Sequence, residues 1–263
     1  MTTVLSYTME TQEKINQITK WLENYSDKGF VVGISGGIDS ALTSTLCAMT
    51  GRRTIVVYLP EHKNTRTTTL AERHMAELEL RFANIESKTI EINQLTHNFK
   101  LMMSRTDCDN ELALANSKAR FRMLSLYHIA QANDLLVCGT GNKVEDFGVG
   151  FFTKHGDGGV DISPIGDLLK SEVYTLARHL EVIDDILEAA PTDGLWADGR
   201  TDEDQLGITY DEIEWAMNVA ENNLTPSDPL SEKVYERFLE LRKANMHKMH
   251  PIPVCKIKSK IRS

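Results

Sequence analysis

The chain has 263 residues, with 29 Lys and Arg against 38 Asp and Glu, for a formal net charge of −9. At about 150 residues per domain this is one large α/β domain or two small ones, long enough to bury a core without staples. Hydrophobic residues at 41% and charged residues at 25% exclude wholesale disorder, and the acidic balance disfavours a constitutive nucleic-acid binder. Cys47, Cys108, Cys138 and Cys255 include no C-x-x-C pair, so neither a disulfide framework nor a zinc knuckle is expected and buried free thiols fit. The N-terminus lacks the cationic start and apolar stretch of a signal peptide. No apolar run approaches the roughly 20 residues of a membrane helix. The expectation is a cytoplasmic protein with neither a membrane nor a nucleic-acid partner.

Ile15, Ile18, Leu22 and Tyr25 recur at helical spacing and predict an amphipathic helix over 8–26. FVVGI (30–34) reads as a buried strand, and ALTSTLCAMT before Gly51 as a helix with a glycine stop. TIVVYLP (54–60) is a second buried strand closed by Pro60. A helix follows over 66–83, with Leu70, His74, Leu78 and Phe82 on one side, and KTIEI (88–92) is a third strand. A long helix is predicted over 110–132, then a fourth strand, LLVCGT (135–140), entering a glycine-rich loop. Residues 150–163 read as a loop over the strand ends, 171–180 as a helix, and 191–207 as a polar loop holding Trp196. Thr209 and Glu212 form a capping box that opens another helix, and 231–246 is the last amphipathic helix. Strands alternating with helices predict an α/β fold: a mainly parallel twisted sheet with helices on both faces. Such sheets bind ligands at the C-terminal ends of their strands, and two of these strands end in polar loops, ISGGIDS and GTGNKVED.

The run Gly33-Ile34-Ser35-Gly36-Gly37-Ile38-Asp39-Ser40 lies between a buried strand and a helix. Glycines bring backbone N–H groups close to an anion, Ser35 and Ser40 add hydroxyls, and the helix points its positive end at bound charge. Asp39 makes sense in a phosphate cradle as a ligand of Mg²⁺. The Walker A lysine is missing, and G-x-G-x-x-G fails at Ser35. The pattern S-G-G-x-D-S resembles the pyrophosphate loop of the ATP pyrophosphatases.

NSKAR (116–120), GTGNKVE (139–145), GFFTKHGDGGVDISPIGDLLK (150–170), DQLGITYDEIE (204–214) and HKMHPIPV (247–254) together resemble ammonia-dependent NAD synthetase, in order, over about residues 8–254. The resemblance implies an adenine nucleotide alpha hydrolase-like fold, a homodimer, and conversion of deamido-NAD, ATP and ammonia to NAD, AMP and pyrophosphate. We expect one such domain over 1–263 with a basic tail from about 255. The length leaves no room for an added glutaminase domain, which favours the ammonia-dependent branch.

Carried over motif by motif, the resemblance puts Gly33–Ser40, Thr140, Lys170 and Thr192 on ATP, and Asp39 and Glu145 on Mg²⁺. Arg120, Lys154, Asp161, His247 and Lys248 fall on deamido-NAD; Lys118 and Arg122 are basic neighbours of Arg120 on one helix. Asp39, Lys170 and Asp161 are the catalytic candidates, Lys170 beside the α-phosphate and Asp161 as the group that deprotonates ammonium. Phe151 and Phe152 either stack on the nicotinate ring or anchor the loop, which would close as a lid over an acyl-adenylate. Cys47 and Cys138 are expected in the core. The competing readings are a tRNA-modifying enzyme of the same superfamily and a nucleotide sensor without chemistry.

Overall fold

In a computed structural model the chain is described over residues 2–61, 66–108, 110–192 and 199–257. Trp196 and the last six residues of the basic tail lie outside the described residues. Helix α1 (Thr2–Tyr25) leads to β1 (Phe30–Ile34), α2 (Ile38–Met49), β2 (Thr54–Tyr58), α3 (Arg66–Arg81) and β3 (Ile85–Thr89). Then come α4 (Asn93–Met103), α5 (Glu111–Asn133) and β4 (Leu136–Cys138), followed by a π-helical segment (Lys143–Val149). The remaining helices are α6 (Lys170–His179), α7 (Asp184–Leu187), α8 (Asp202–Leu206), α9 (Tyr210–Glu221) and α10 (Pro229–Met249).

Among the described residues the four strands make a parallel sheet in the order β3-β2-β1-β4, with Phe30 paired to both Thr54 and Leu136. Successive side chains of a strand point to opposite faces, and the core follows that period. Phe30, Val32, Ile34, Val56, Tyr58 and Cys138 pack with α1, α2, α3 and α6, whereas Val31, Ile55, Val57 and Val137 pack with α5. Both faces are covered, which is why these strands read as unbroken apolar runs. A third cluster joins Val144 and Val149 to α8, α9 and Phe238 of α10. The chain leaves β1 toward β2 on one side, and β4 arrives on the other. The crevice between β1 and β4 is therefore a topological switch point, the place where open α/β sheets take ligands.

Several boundaries differ from expectation. Strand β3 sits three residues earlier than KTIEI: residues 85–89 form the edge, and Ile90 and Ile92 instead donate their N–H groups to the Tyr58 and Pro60 carbonyls. The apolar signal lay in Ile92, which is buried and precedes α4, a helix the pattern did not announce. Tyr25 is 54% exposed while Ile15 and Leu22 are fully buried, so the inward stripe of α1 ends before its last residue. The 191–207 stretch contains α8, opened by its own capping box of Thr201 and Asp204. Helix α10 starts at Pro229 because Asp228 caps the N–H groups of Leu230 and Ser231. Cys47 and Cys138 pack in the core as expected, their sulfurs 3.5 Å apart and unbonded.

His74, 2% exposed, braces α3 against α2. Ser44 donates its hydroxyl proton to the Ser40 carbonyl at 2.7 Å, so it accepts from His74 Nε2–H at 2.8 Å. Among the described residues no partner meets Nδ1. Burial, then the nearby Arg81 charge, lower this imidazole from 6.5 to about 4. Between those values the unfolded chain binds a proton that the folded chain does not, so stability falls as pH drops from 6.5 toward 4. We expect His74 to contribute about 3 kcal/mol to that fall. Urea unfolding at pH 7 and pH 4.5, which spans most of that window, will show a drop in wild type that His74→Gln reduces by about 2 kcal/mol.

Candidate active site

The loop after β1 turns sharply at Gly36, whose φ of +87° suits a residue without a side chain. Ser40 donates to the Gly37 carbonyl at 2.9 Å and accepts the Ser35 N–H at 3.2 Å. Ser35 in turn accepts the Gly37 N–H at 3.1 Å. These bonds shape Gly33–Ser40 into a closed turn that ends in the first turn of α2. Gly37 caps that helix and Ile38 and Asp39 begin it, leaving its first amide groups without intrahelical partners.

Asp39 therefore stands at the end of β1, and the loop from β4 brings its counterpart. Asn142 accepts the N–H groups of Val144 and Glu145, each at 3.0 Å, and starts the π-helical turn. Its amide also donates to Asp39 Oδ1 at 3.0 Å. Gly141 is required there, because a Cβ would lie 1.9 Å from the Asp146 carboxylate. Lys170, first residue of α6, completes the group. Its Nζ bonds Asp39 Oδ2 at 2.6 Å and Glu145 Oε1 at 2.8 Å, with side-chain exposures of 4%, 19% and 16% for Lys170, Asp39 and Glu145.

The electrostatics follow from two carboxylates sharing one ammonium in a nearly dry place. Burial pushes the Asp39 carboxyl above its ordinary value, and Lys170 offsets only part of that. Burial also opposes the charge on Glu145, but Lys170 and the hydrogen bonds from Lys170 and Tyr210 outweigh it and draw it down. Lys170 is held protonated: burial disfavours its charge, and the two carboxylates reverse that. The donor set fits a hard divalent cation, since both side chains offer carboxylate oxygens and converge on a point where positive charge already sits.

A second group forms beside this one. Arg120 Nε donates to the Lys154 carbonyl at 3.2 Å, and Lys154 Nζ donates to the His247 carbonyl. Lys248 Nζ donates to the Gly150 and Phe152 carbonyls at 2.8 Å each. Arg120, Lys154, His247 and Lys248 thus gather where the 150–163 loop meets α5 and α10. Lys118 and Arg122 turn elsewhere, Lys118 pairing with Glu61 and Arg122 donating to the Leu59 carbonyl. Phe151 packs into the third core cluster and Phe152 lies against Gly158, so both anchor the loop. Asp161 does not join either group: its oxygens accept the Val137 N–H at 2.8 Å and the Tyr127 hydroxyl at 3.0 Å. Thr140 lies two residues past β4 and half-buried, and Thr192 donates to the Arg200 carbonyl at 3.2 Å. Asn142 and Tyr210 went unnoticed as site residues, although both lie inside motifs quoted from the sequence.

The NAD synthase family model matches residues 10–252. The chain belongs to that family. A relative from Methanosarcina acetivorans, named NH(3)-dependent NAD(+) synthetase, is 38% identical over 219 residues, covering 81% of this chain and 84% of the relative. Among solved structures, the NMN synthetase from Francisella tularensis superposes with a TM-score of 0.82 at 34% identity, covering 94% of this chain and 99% of that one. The NH3-dependent NAD synthetase from Campylobacter jejuni superposes with a TM-score of 0.76 at 27% identity, with the same coverage. Both neighbours therefore share the fold of this chain over nearly its whole length.

Replacing Lys170 tests the charge balance. Lys170→Met leaves two buried carboxylates without their cation, which costs about 3 kcal/mol. In EDTA its melting point will fall well below wild type, and Mg²⁺ will recover part of the loss. An unchanged melting point in EDTA would show that the ammonium does not hold the carboxylates together.

Proposed function

We propose that this chain amidates deamido-NAD⁺ with ammonia at the expense of ATP, releasing NAD⁺, AMP and pyrophosphate. The observation that carries the reading is the convergence of Asp39, Glu145 and Lys170 under a glycine-rich phosphate loop, in a member of the NAD synthase family. Membership of this family, whose relatives are named for amide-forming synthesis, also weighs against a tRNA-modifying enzyme or an inert sensor.

The loop Gly33–Ser40 and the N-terminal amides of α2 would cradle the triphosphate. Asp39 and Glu145 would hold Mg²⁺, which when bound would neutralise charge across the phosphates. Lys170 would move its ammonium onto the α-phosphate, where negative charge grows as the nicotinate carboxylate attacks and pyrophosphate leaves. Thr140 and Thr192 would contact the rest of ATP. Arg120, Lys154 and Lys248 form a cationic group, with His247 beside them, suited to the pyrophosphate of deamido-NAD⁺. With the acyl-adenylate formed, ammonia attacks its carbonyl and AMP departs; the 150–163 loop, fastened to α10 by Lys154 and Lys248, would keep water out. Asp161, committed to Val137 and Tyr127, fits a loop-holding role better than proton transfer.

A homodimer is supported by apolar side chains left exposed along α4 and α5: Leu95, Leu101, Met102, Leu112 and Leu124. Among the described residues no helix is long and apolar enough to cross a membrane, consistent with a cytoplasmic site of action. The Francisella neighbour, named NMN synthetase, supports a second acceptor, nicotinate mononucleotide.

Both acceptors belong in one assay, with ATP and Mg²⁺ and with ammonium, glutamine or neither. NAD⁺ and AMP will form one-to-one with ammonium, and Asp39→Asn will lower turnover at least roughly a hundredfold. Amidation of the mononucleotide alone would move the reading to the second acceptor. AMP without either amide would refute both.

A further inference from the structure

Tyr210, the first residue of α9, is 6% exposed. Its hydroxyl lies 2.6 Å from Glu145 Oε1 and 3.1 Å from Asp202 Oδ2, and its ring lies 4.8 Å from the Lys170 ammonium. One side chain thus touches both Glu145 and the cation that neutralises it. Helix α9 does not need these contacts to start. Thr209 and Glu212 cap it, and the Tyr210 N–H goes to Glu203 at 2.9 Å. A phenol is a donor at neutral pH, and both neighbours offer it carboxylate oxygens.

We infer that Tyr210 is the positioning residue for Glu145, holding its carboxylate in place when Lys170 is drawn away to phosphate. The inference rests on the reading of Asp39 and Glu145 as cation ligands. The two carboxylates are unequally supported. Asp39 has a short side chain and keeps the Asn142 amide whatever Lys170 does. Glu145 has one more rotatable bond, and its short side-chain hydrogen bonds come from Lys170 and Tyr210. Once Lys170 leaves, the phenol is the short neutral hydrogen bond that remains to it, beside the weaker Asn142 amide contact. Asp202, in the first turn of α8, lies on the other side of the phenol and competes with Glu145 for its single proton.

The test uses the whole chain with a non-hydrolysable α,β-methylene analogue of ATP, titrated with Mn²⁺ and read by EPR, for wild type, Tyr210→Phe, Asp202→Asn and Glu145→Gln. Tyr210→Phe keeps the ring and will weaken Mn²⁺ binding roughly tenfold, the scale of one hydrogen bond to a charged group. In turnover it will raise the KM for Mg²⁺ while kcat at saturating Mg²⁺ stays within about threefold of wild type, a split that a general packing defect would not produce. Asp202→Asn removes the competitor for the phenol proton and will tighten Mn²⁺ binding, and it carries the test if Tyr210→Phe does not fold. Wild-type Mn²⁺ affinity in Tyr210→Phe, or no tightening in Asp202→Asn where that variant decides, together with a loss in Glu145→Gln, would overturn the inference alone. Wild-type affinity in Glu145→Gln would overturn the cation-site reading and the inference with it.

Discussion

One buried ammonium joins two carboxylates from opposite sides of the switch point, and the rest of the site is arranged around that contact. Asp39 comes from the turn after β1, Glu145 from the π-helical turn after β4, and Lys170 from the start of α6. Two such carboxylates left together without a cation would repel each other and lose hydration, so the ammonium is a condition for the folded crevice. On the proposed function the same balance would serve the chemistry, a divalent cation taking the place of the ammonium when phosphate competes for the lysine.

The surrounding elements keep the three charges in register. The closed turn of Ser35, Gly37 and Ser40 fixes where α2 begins, and hence where Asp39 points. Asn142 does two tasks at once, capping the turn that carries Glu145 and reaching across to Asp39. Tyr210 closes the far side, linking Glu145 to α8. The second cationic group, around Arg120 and Lys154, sits on the neighbouring loop. On the proposed function, the first group would serve a triphosphate and the second another anionic substrate.

Much of this was legible in the sequence because the signals were local. The sheet strands β1, β2 and β4 announce themselves by apolar runs buried on two faces, and Thr209 with Glu212 announces α9. The glycine-serine loop stands out by its position between strand and helix. What stayed hidden depends on tertiary neighbours. Strand β3, IESKT, lies at a half-exposed edge and carries no apolar run, so its position shifted onto Ile90 and Ile92. Asp161 lies in the right motif, yet its carboxylate is used by a strand amide and a tyrosine brought close only by folding. Tyr210 has no local signal of a site role; its hydroxyl matters because Glu145, 65 positions earlier, lies against it.

The central claim is that Asp39 and Glu145 form a cation position held at rest by Lys170. A crystal structure of the chain with Mg²⁺ and the non-hydrolysable ATP analogue tests it most directly. The account predicts that both carboxylates converge on the metal and that the Lys170 ammonium has left them for the phosphates. Lys170 still bridging the two carboxylates, with the metal bound elsewhere, would contradict it.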